Sequence, residues 1–148
     1  MRRSTIIETV TVLYIILFLY TAISKIIDYP IFKEQLELSP ILSFSAKPVA
    51  VLVPVAELIA VIGLMIPRWR LKGHFLSILL MVGFTLYITV LMMISEHLPC
   101  SCGGIIGLLS WKQHVILNCL FIGLSVAAIV LQIKQKKEFE KNWEPSYG

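Results

Sequence analysis

The chain has 148 residues, of which 57% are hydrophobic and 15% are charged, whereas soluble domains carry about 25% charged residues. This composition, with a mean hydropathy of +0.85, excludes an ordinary soluble domain and indicates an integral membrane protein. The net charge of +4 does not indicate nucleic-acid binding, because the basic residues form short clusters between apolar runs rather than one basic face.

Four apolar runs are long enough for a helix to cross a bilayer, which takes about 17–25 residues. They cover residues 5–24, 49–66, 75–94 and 115–133. None of them shows the alternation of a barrel strand. We therefore predict an all-α integral membrane protein with a four-transmembrane-helix bundle over residues 1–133, followed by a polar tail at 134–148 that frays.

The first run follows Met1-Arg2-Arg3 and so resembles a signal peptide, with Ala22 near a cleavage point. The apolar part of a signal peptide is only about 7–15 residues long, however, and this run is long enough to span. We expect an uncleaved first helix.

The orientation in the membrane follows from the basic residues, since Lys and Arg near helix ends stay on the cytoplasmic side. One side of the bundle would hold Arg2, Arg3, Arg68, Arg70, Lys72, Lys134, Lys136, Lys137 and Lys141. The other would hold only Lys25, Lys33, Lys47 and Lys112. This bias predicts cytoplasmic termini and outer loops at 25–48 and 95–110. The first of these loops has the irregular apolar spacing of a short amphipathic segment on the membrane surface.

The second outer loop contains Pro99-Cys100-Ser101-Cys102-Gly103-Gly104. An outer compartment is oxidising, and a disulfide across one residue is constrained, which is typical of the labile, oxidising class. Gly103 and Gly104 permit close approach by the backbone of a thioredoxin-like partner, and Pro99 fixes the start of the turn. These features favour thiol–disulfide exchange by Cys100 and Cys102.

Two other roles for the cysteine pair stay open. A structural disulfide would close almost no loop and would stabilise the fold little. A metal site would need about four ligands, and only His97 and Glu96 lie near the pair in the sequence, so we expect no metal. An iron–sulfur cluster would need more cysteines than the chain offers here.

The fourth run begins with Ser110-Trp111-Lys112-Gln113, which is typical of a capping box with Ser110 as the N-cap. His114 follows directly and is a candidate proton acceptor for the cysteine pair. Cys119 is either an inert packing residue or a relay thiol for that pair. Further along, Gly123 and Ala127 are four residues apart and predict a strip for close helix packing.

Glu57 is the most anomalous residue within a predicted span, because an ionisable side chain there costs several kcal/mol unless it is paired or protonated. Its candidate partners are Lys25, at the outer end of the first helix, and His114 and Asn118, which share one face of the fourth helix. We predict a polar membrane centre formed by Lys25, Glu57 and Asn118. It would serve either as a structural cluster or as a proton or quinone site.

Taken together, these residues resemble the MauE/DoxX-like family of redox-associated membrane proteins, whose MauE branch is linked to methylamine utilisation. The matching pieces are Tyr20-Thr21-Ala22-Ile23-Ser24-Lys25 with Phe32, Ser39-Pro40, Pro54-Val55-Ala56-Glu57, Pro67-Arg68, Pro99-Cys100-Ser101-Cys102-Gly103-Gly104, and Trp111-Lys112-Gln113-His114 with Asn118. The resemblance covers nearly all of the apolar part of the chain.

The resemblance implies a bacterial inner-membrane protein that assists disulfide formation or electron transfer, often beside a thioredoxin-fold partner. The architecture also looks like the quinone-linked disulfide oxidases of the DsbB and vitamin K epoxide reductase type, but those use two cysteine pairs. We hypothesise a thiol-exchange component in the lipid bilayer, with an envelope protein as partner and a quinone as the candidate cofactor. The alternatives are a non-catalytic subunit of a larger membrane complex and a small transporter or proton-coupled bundle centred on Glu57.

Overall fold

The computed structural model describes residues 2–94 and 110–143. Five helices occur there: α1 (Arg3–Ile27), α2 (Tyr29–Leu38), α3 (Ala46–Met65), α4 (Arg70–Ile94) and α5 (Trp111–Trp143). Short 3-10 helices at Ser43–Ser45 and Pro67–Trp69 precede α3 and α4. All helices except α2 belong to segments long and apolar enough to span a membrane. The predicted all-α, four-transmembrane-helix class is confirmed.

The four long helices form a ring. Helix α1 packs on α3 and α5, and α4 packs on the same two helices, so α1 and α4 lie on opposite sides. Their inward faces form one core cluster, made of Val10, Tyr14, Phe18, Ala60, Val61, Leu64, Met81 and Ala128. Large apolar side chains also cover the outer surface, as expected of helices whose outer faces contact lipid.

The predicted amphipathic segment of the first outer loop corresponds to α2 and the turn after it. Phe32 and Leu36 of α2 pack on Ala46 and Ala50 at the start of α3. The buried Ser39 hydroxyl accepts a hydrogen bond from the hydroxyl of Tyr87 on α4, over 3.0 Å. The segment is therefore held against both α3 and α4 at one end of the bundle.

At the opposite end, α3 and α4 approach closely beside the Pro67–Trp69 turn. A Cβ atom on Gly73 would lie 2.8 Å from the backbone nitrogen of Leu64 and 2.9 Å from the carbonyl carbon of Gly63. Only a hydrogen atom fits in that space, so glycine at position 73 is what allows the two helices to meet there.

Helix α5 differs from the sequence expectation at its end, because it continues to Trp143 where a fraying tail was predicted from residue 134. The extension is rich in Lys, Gln and Glu, which favour helix. It is also tied to the start of α1, since Arg3 Nη1 donates to Glu138 Oε1 over 2.7 Å. Residues 144–148 of the predicted tail lie outside the described residues.

The capping box at the start of α5 is confirmed. The backbone nitrogen of Ser110 donates to Gln113 Oε1 over 2.9 Å, and the backbone nitrogen of Gln113 donates to Ser110 Oγ over 3.3 Å. These reciprocal bonds satisfy donors that a helix start otherwise leaves open.

The predicted packing strip on α5 is wrong. Gly123 and Ala127 are both exposed, and a Cβ atom added to Gly123 would meet nothing within 4 Å. The residues that face the bundle are Ser125 and Ala128, which are fully buried. Spacing identified residues that share a face, but it did not reveal which face turns inward.

We expect Gly73→Ala to lower the free energy of unfolding by about 1–3 kcal/mol, the usual effect of overpacking. Gly123→Ala is the matched control, because the same added methyl group meets open space. Unfolding of both variants and of the wild type in one detergent, followed by circular dichroism, measures the difference. Equal stability of the two variants would contradict the close approach of α3 and α4.

Candidate functional site

A buried ion pair joins α1 to α3. Lys25 Nζ lies 2.6 Å from Glu57 Oε1, and the two side chains are only 9% and 8% exposed. Lys25 occupies the last turn of α1, and Glu57 lies one turn after Pro54 within α3. The rings of Phe32 and Phe84 stand 5.8 Å and 5.9 Å from the ammonium group. The lysine charge is thus shared between one carboxylate and two aromatic faces.

The ion pair forms part of the wall of a cavity of about 380 Å³ inside the ring of helices. His114 and Asn118 reach the same cavity from α5, and both are buried. The structure therefore brings together four of the residues singled out in the sequence, Lys25, Glu57, His114 and Asn118. Their functional roles stay predictions.

Most of the remaining wall is apolar. Helix α2 and the turn after it contribute Phe32, Leu36 and Leu42, so the cavity lies in the half of the bundle that this segment covers. The other apolar and aromatic contributions are Leu17, Phe18, Val49, Val53, Leu79, Leu80, Met81, Phe84, Tyr87 and Leu117.

Two polar atoms in this wall lack a hydrogen-bond partner among the described residues, namely Glu57 Oε2 and Asn118 Nδ2. Thr21 also lies beside the carboxylate, but a hydroxyl carries one hydrogen, and that of Thr21 is donated to the carbonyl of Phe18 over 3.2 Å. Each unmet polar group costs about 1–3 kcal/mol when buried. Among the described residues, the cavity thus presents at least one acceptor and one donor atom that have no partner.

Residues 3–131 match the family described as methylamine utilisation protein MauE. The chain belongs to the MauE family. The match covers α1 to α4 and most of the apolar part of α5, and it confirms the MauE part of the resemblance. Neither a curated protein nor a solved structure matches the chain.

The cysteines of this MauE-family protein do not line the cavity as far as the structure describes them. Cys119 is a free, exposed thiol; it follows Asn118 directly, and one residue turns a helix by about 100°, which directs the thiol away from the cavity. It is not the buried packing residue that one interpretation expected, and its relay role stays a prediction. Cys100, Cys102, Pro99, Gly103 and Gly104 lie outside the described residues.

A second polar cluster was not predicted from the sequence. His74 on α4 is fully buried, and its ring nitrogens lie 3.0 Å from Thr11 Oγ1 and 3.2 Å from Ser125 Oγ. Tyr14 packs against the imidazole edge-on, at 6.1 Å between ring centroids. The rule that singled out Glu57, that ionisable residues inside a span are significant, applies equally to His74. It was missed because the third helix was predicted to begin at residue 75.

Among the residues that the structure describes, no three His, Cys, Asp or Glu side chains lie close enough together to hold a metal ion. The residues considered for a metal in the outer loop, His97 and Glu96 with the cysteine pair, belong to the part that is not described.

We expect the buried pair to show strong coupling in a double-mutant cycle. Lys25→Met and Glu57→Gln should each lower the free energy of unfolding by about 3–5 kcal/mol, because each leaves one buried charge uncompensated. The double variant should lose much less than the sum of the two. Unfolding of the four proteins in the same nanodiscs measures the coupling.

The matched control is the exposed pair Arg3–Glu138, whose side chains are 46% and 62% exposed. Replacing each by Gln, singly and together, should change stability by no more than about 1 kcal/mol. Additive effects of Lys25→Met and Glu57→Gln would show that the buried contact does not hold α1 and α3 together.

Proposed function

We propose that this MauE-family protein is a multi-pass membrane accessory of a thiol–disulfide pathway, in which Cys100 and Cys102 exchange with a thioredoxin-like protein of the outer compartment. The proposal rests on one observation above all. The Cys-x-Cys segment connects α4 to the capped start of α5, the helix that carries His114 and Asn118 into the polar cavity.

Chain length limits how far the cysteines lie from the bundle. An extended chain spans at most about 3.6 Å per residue, so Cys100, six residues after Ile94, stays within about 22 Å of the end of α4. Cys102, eight residues before Ser110, stays within about 29 Å of the start of α5. Both tethers attach to the end of the bundle that α2 covers, and we propose that a soluble partner meets the cysteine segment at that end.

The proposed exchange moves two electrons and two protons. A thiolate of the partner attacks one sulfur of the Cys100–Cys102 disulfide and forms a mixed disulfide, and the other cysteine of the pair leaves as a thiolate. The partner's second thiolate then attacks the mixed disulfide. The partner ends as a disulfide, and Cys100 and Cys102 end as a dithiol after taking up two protons. His114, near the start of α5, is the proposed acceptor of a proton from the pair in the reverse exchange, in which the disulfide of an oxidised partner takes up the two electrons of the Cys100 and Cys102 thiols.

The proposed placement is the bacterial inner membrane, with both termini in the cytoplasm. The contact between Arg3 and Glu138 supports a shared end for α1 and the α5 extension, and the basic residues cluster at that end. The positive-inside rule then favours the outer compartment for the opposite end.

A second candidate is a non-catalytic accessory role in methylamine utilisation, the process in the family description. It is favoured by the apolar surface of the outer segment, where Ile31, Leu38 and Phe44 are exposed, Phe44 by 89%. Such a surface suits an envelope partner as well as lipid.

We expect Cys102→Ser to accumulate a mixed disulfide between Cys100 and the partner. The exchange is reversible, and in its reverse direction the Cys100 thiolate attacks the disulfide of the oxidised partner; Cys102, which would resolve the resulting mixed disulfide, is missing in this variant. Native membranes are quenched with acid, alkylated with a mass-shifting maleimide, and separated on non-reducing gels. The adduct should disappear with reductant and in Cys100→Ser/Cys102→Ser. In the wild type, Cys100 and Cys102 should react with the maleimide as thiols under reducing growth conditions. Under oxidising conditions they should form a disulfide and no longer react.

Cys119→Ser is the matched control, and it should leave both the adduct and the redox change intact. If Cys100 and Cys102 stay in one state under every condition, thiol exchange is wrong. If Cys100→Ser/Cys102→Ser also keeps its partners and supports growth on methylamine, the accessory role is the better function.

A further inference from the structure

We infer that the cavity between α1, α3, α4 and α5 binds the head group of a membrane-dissolved quinol, held by Glu57 Oε2 and Asn118 Nδ2. The inference rests on the described residues of the cavity and does not depend on thiol exchange at the outer loop. Three properties of the cavity lead to this ligand class: its open hydrogen-bonding atoms, its charge balance, and its opening towards the bilayer.

The open atoms specify the polar part of the ligand. Glu57 Oε2 needs a donor, and Asn118 Nδ2 needs an acceptor; both residues are buried and line the cavity. A hydroxyl group supplies both functions, since it has one hydrogen to donate and lone pairs to accept. An oxidised quinone has carbonyl acceptors only, so it would leave Glu57 Oε2 without a donor. The site therefore favours the reduced form.

The charge balance specifies a neutral ligand. The positive charge of Lys25 is paired with Glu57 at 2.6 Å, so the two groups add no net charge to the cavity. An anionic head group would face the open oxygen of Glu57, and burying its charge without a partner would be costly. A quinol is neutral and avoids this penalty.

The size and walls of the cavity suit a single ring. A volume of about 380 Å³ lies at the lower end of the range of about 300–1,000 Å³ for small-molecule sites. Phe18, Phe32 and Phe84 supply aromatic surface in the wall, and aromatic rings prefer to stack or pack edge-to-face. A benzene ring fits in a cavity of about 150 Å³, so a substituted ring and the first carbons of its tail fit here, and the rest of a long hydrocarbon tail must leave the cavity.

Two exposed residues of α4 belong to the wall of the cavity, and we place the opening for that tail beside them. Leu79 and Gly83 line the cavity and are also exposed on the outside of the bundle, Leu79 by 68%. Both lie within the membrane-spanning part of α4. A ligand that enters there comes from the hydrocarbon layer and not from water, as a quinol dissolved in the membrane would.

We test the inference with the full-length protein in phosphatidylcholine nanodiscs. The probe is a decyl-substituted benzoquinol, kept reduced, and its dimethyl ether is the matched ligand control, since it enters lipid at least as well but cannot donate a hydrogen bond. The unfolding temperature is followed against ligand concentration, because a ligand that binds only the folded state raises it. The quinol should bind roughly three- to tenfold more tightly than the ether, the effect of one buried hydrogen bond.

Two variants test the position of the site. Asn118→Leu removes the open donor and should weaken quinol binding by roughly three- to tenfold. Gly83→Phe narrows the cavity at its opening and leaves every polar group in place; an added Cβ there meets nothing within 4 Å, so the fold should tolerate it. Gly123→Phe is the control, since it adds the same side chain at an exposed site outside the cavity.

Weaker binding in Asn118→Leu and Gly83→Phe, with unchanged binding in Gly123→Phe, supports the site. Equal stabilisation by the quinol, its ether and 1-decanol would overturn it, because the cavity would then hold any hydrocarbon chain. No stabilisation by the quinol would overturn it as well, and Glu57 Oε2 and Asn118 Nδ2 would then be expected to bond to water. The cysteine-trapping experiment uses other residues, so either proposal can fail while the other stands.

Discussion

The buried ion pair between Lys25 and Glu57 is the constraint on which the rest of the bundle depends. In a low-dielectric interior neither charge is tolerated alone, so the last turn of α1 must lie against the middle of α3. That requirement fixes the register of the two helices. It also fixes the outer segment, because the lysine is enclosed by Phe32 of α2 and Phe84 of α4. One polar contact thereby connects four of the five helices that the structure describes.

The bundle contains two buried polar clusters, which differ in how many of their polar atoms have hydrogen-bond partners. Around His74, both ring nitrogens have hydroxyl partners, from Thr11 and Ser125, and a fully satisfied network makes a core rigid. Around Glu57, one carboxylate oxygen and the amide nitrogen of Asn118 are left open beside a cavity. The two clusters lie in opposite halves of the bundle, with the apolar core between them. The half around His74 is filled by its own side chains, and the half around Glu57 contains the cavity.

The sequence alone predicted those features that depend on one physical requirement of a local segment. The length of each span follows from bilayer thickness, and Glu57 stood out because a carboxylate in a span needs a partner. Sequence was insufficient where contacts between distant segments decide. The helical extension of α5 contacts the start of α1 through Arg3 and Glu138, and the inward face of α5 is marked by Ser125 bonding to His74. The cavity arises from how four helices meet, which no local pattern contains.

Helix α5 is the element through which events at the outer loop would reach the cavity. Its first turn is fixed by the reciprocal bonds of Ser110 and Gln113, and His114 and Asn118 follow on the inward face of the same rigid helix. The cysteine segment lies close to this cap in the sequence, since Cys102 is eight residues before Ser110. A partner that binds the segment would therefore act near the start of α5. A rotation of α5 about its axis would move the donor of Asn118 relative to Glu57, and the open pair of hydrogen-bonding atoms would change its geometry. The capping box is therefore the first fixed point of the chain after the cysteine segment, and it belongs to the same helix as Asn118.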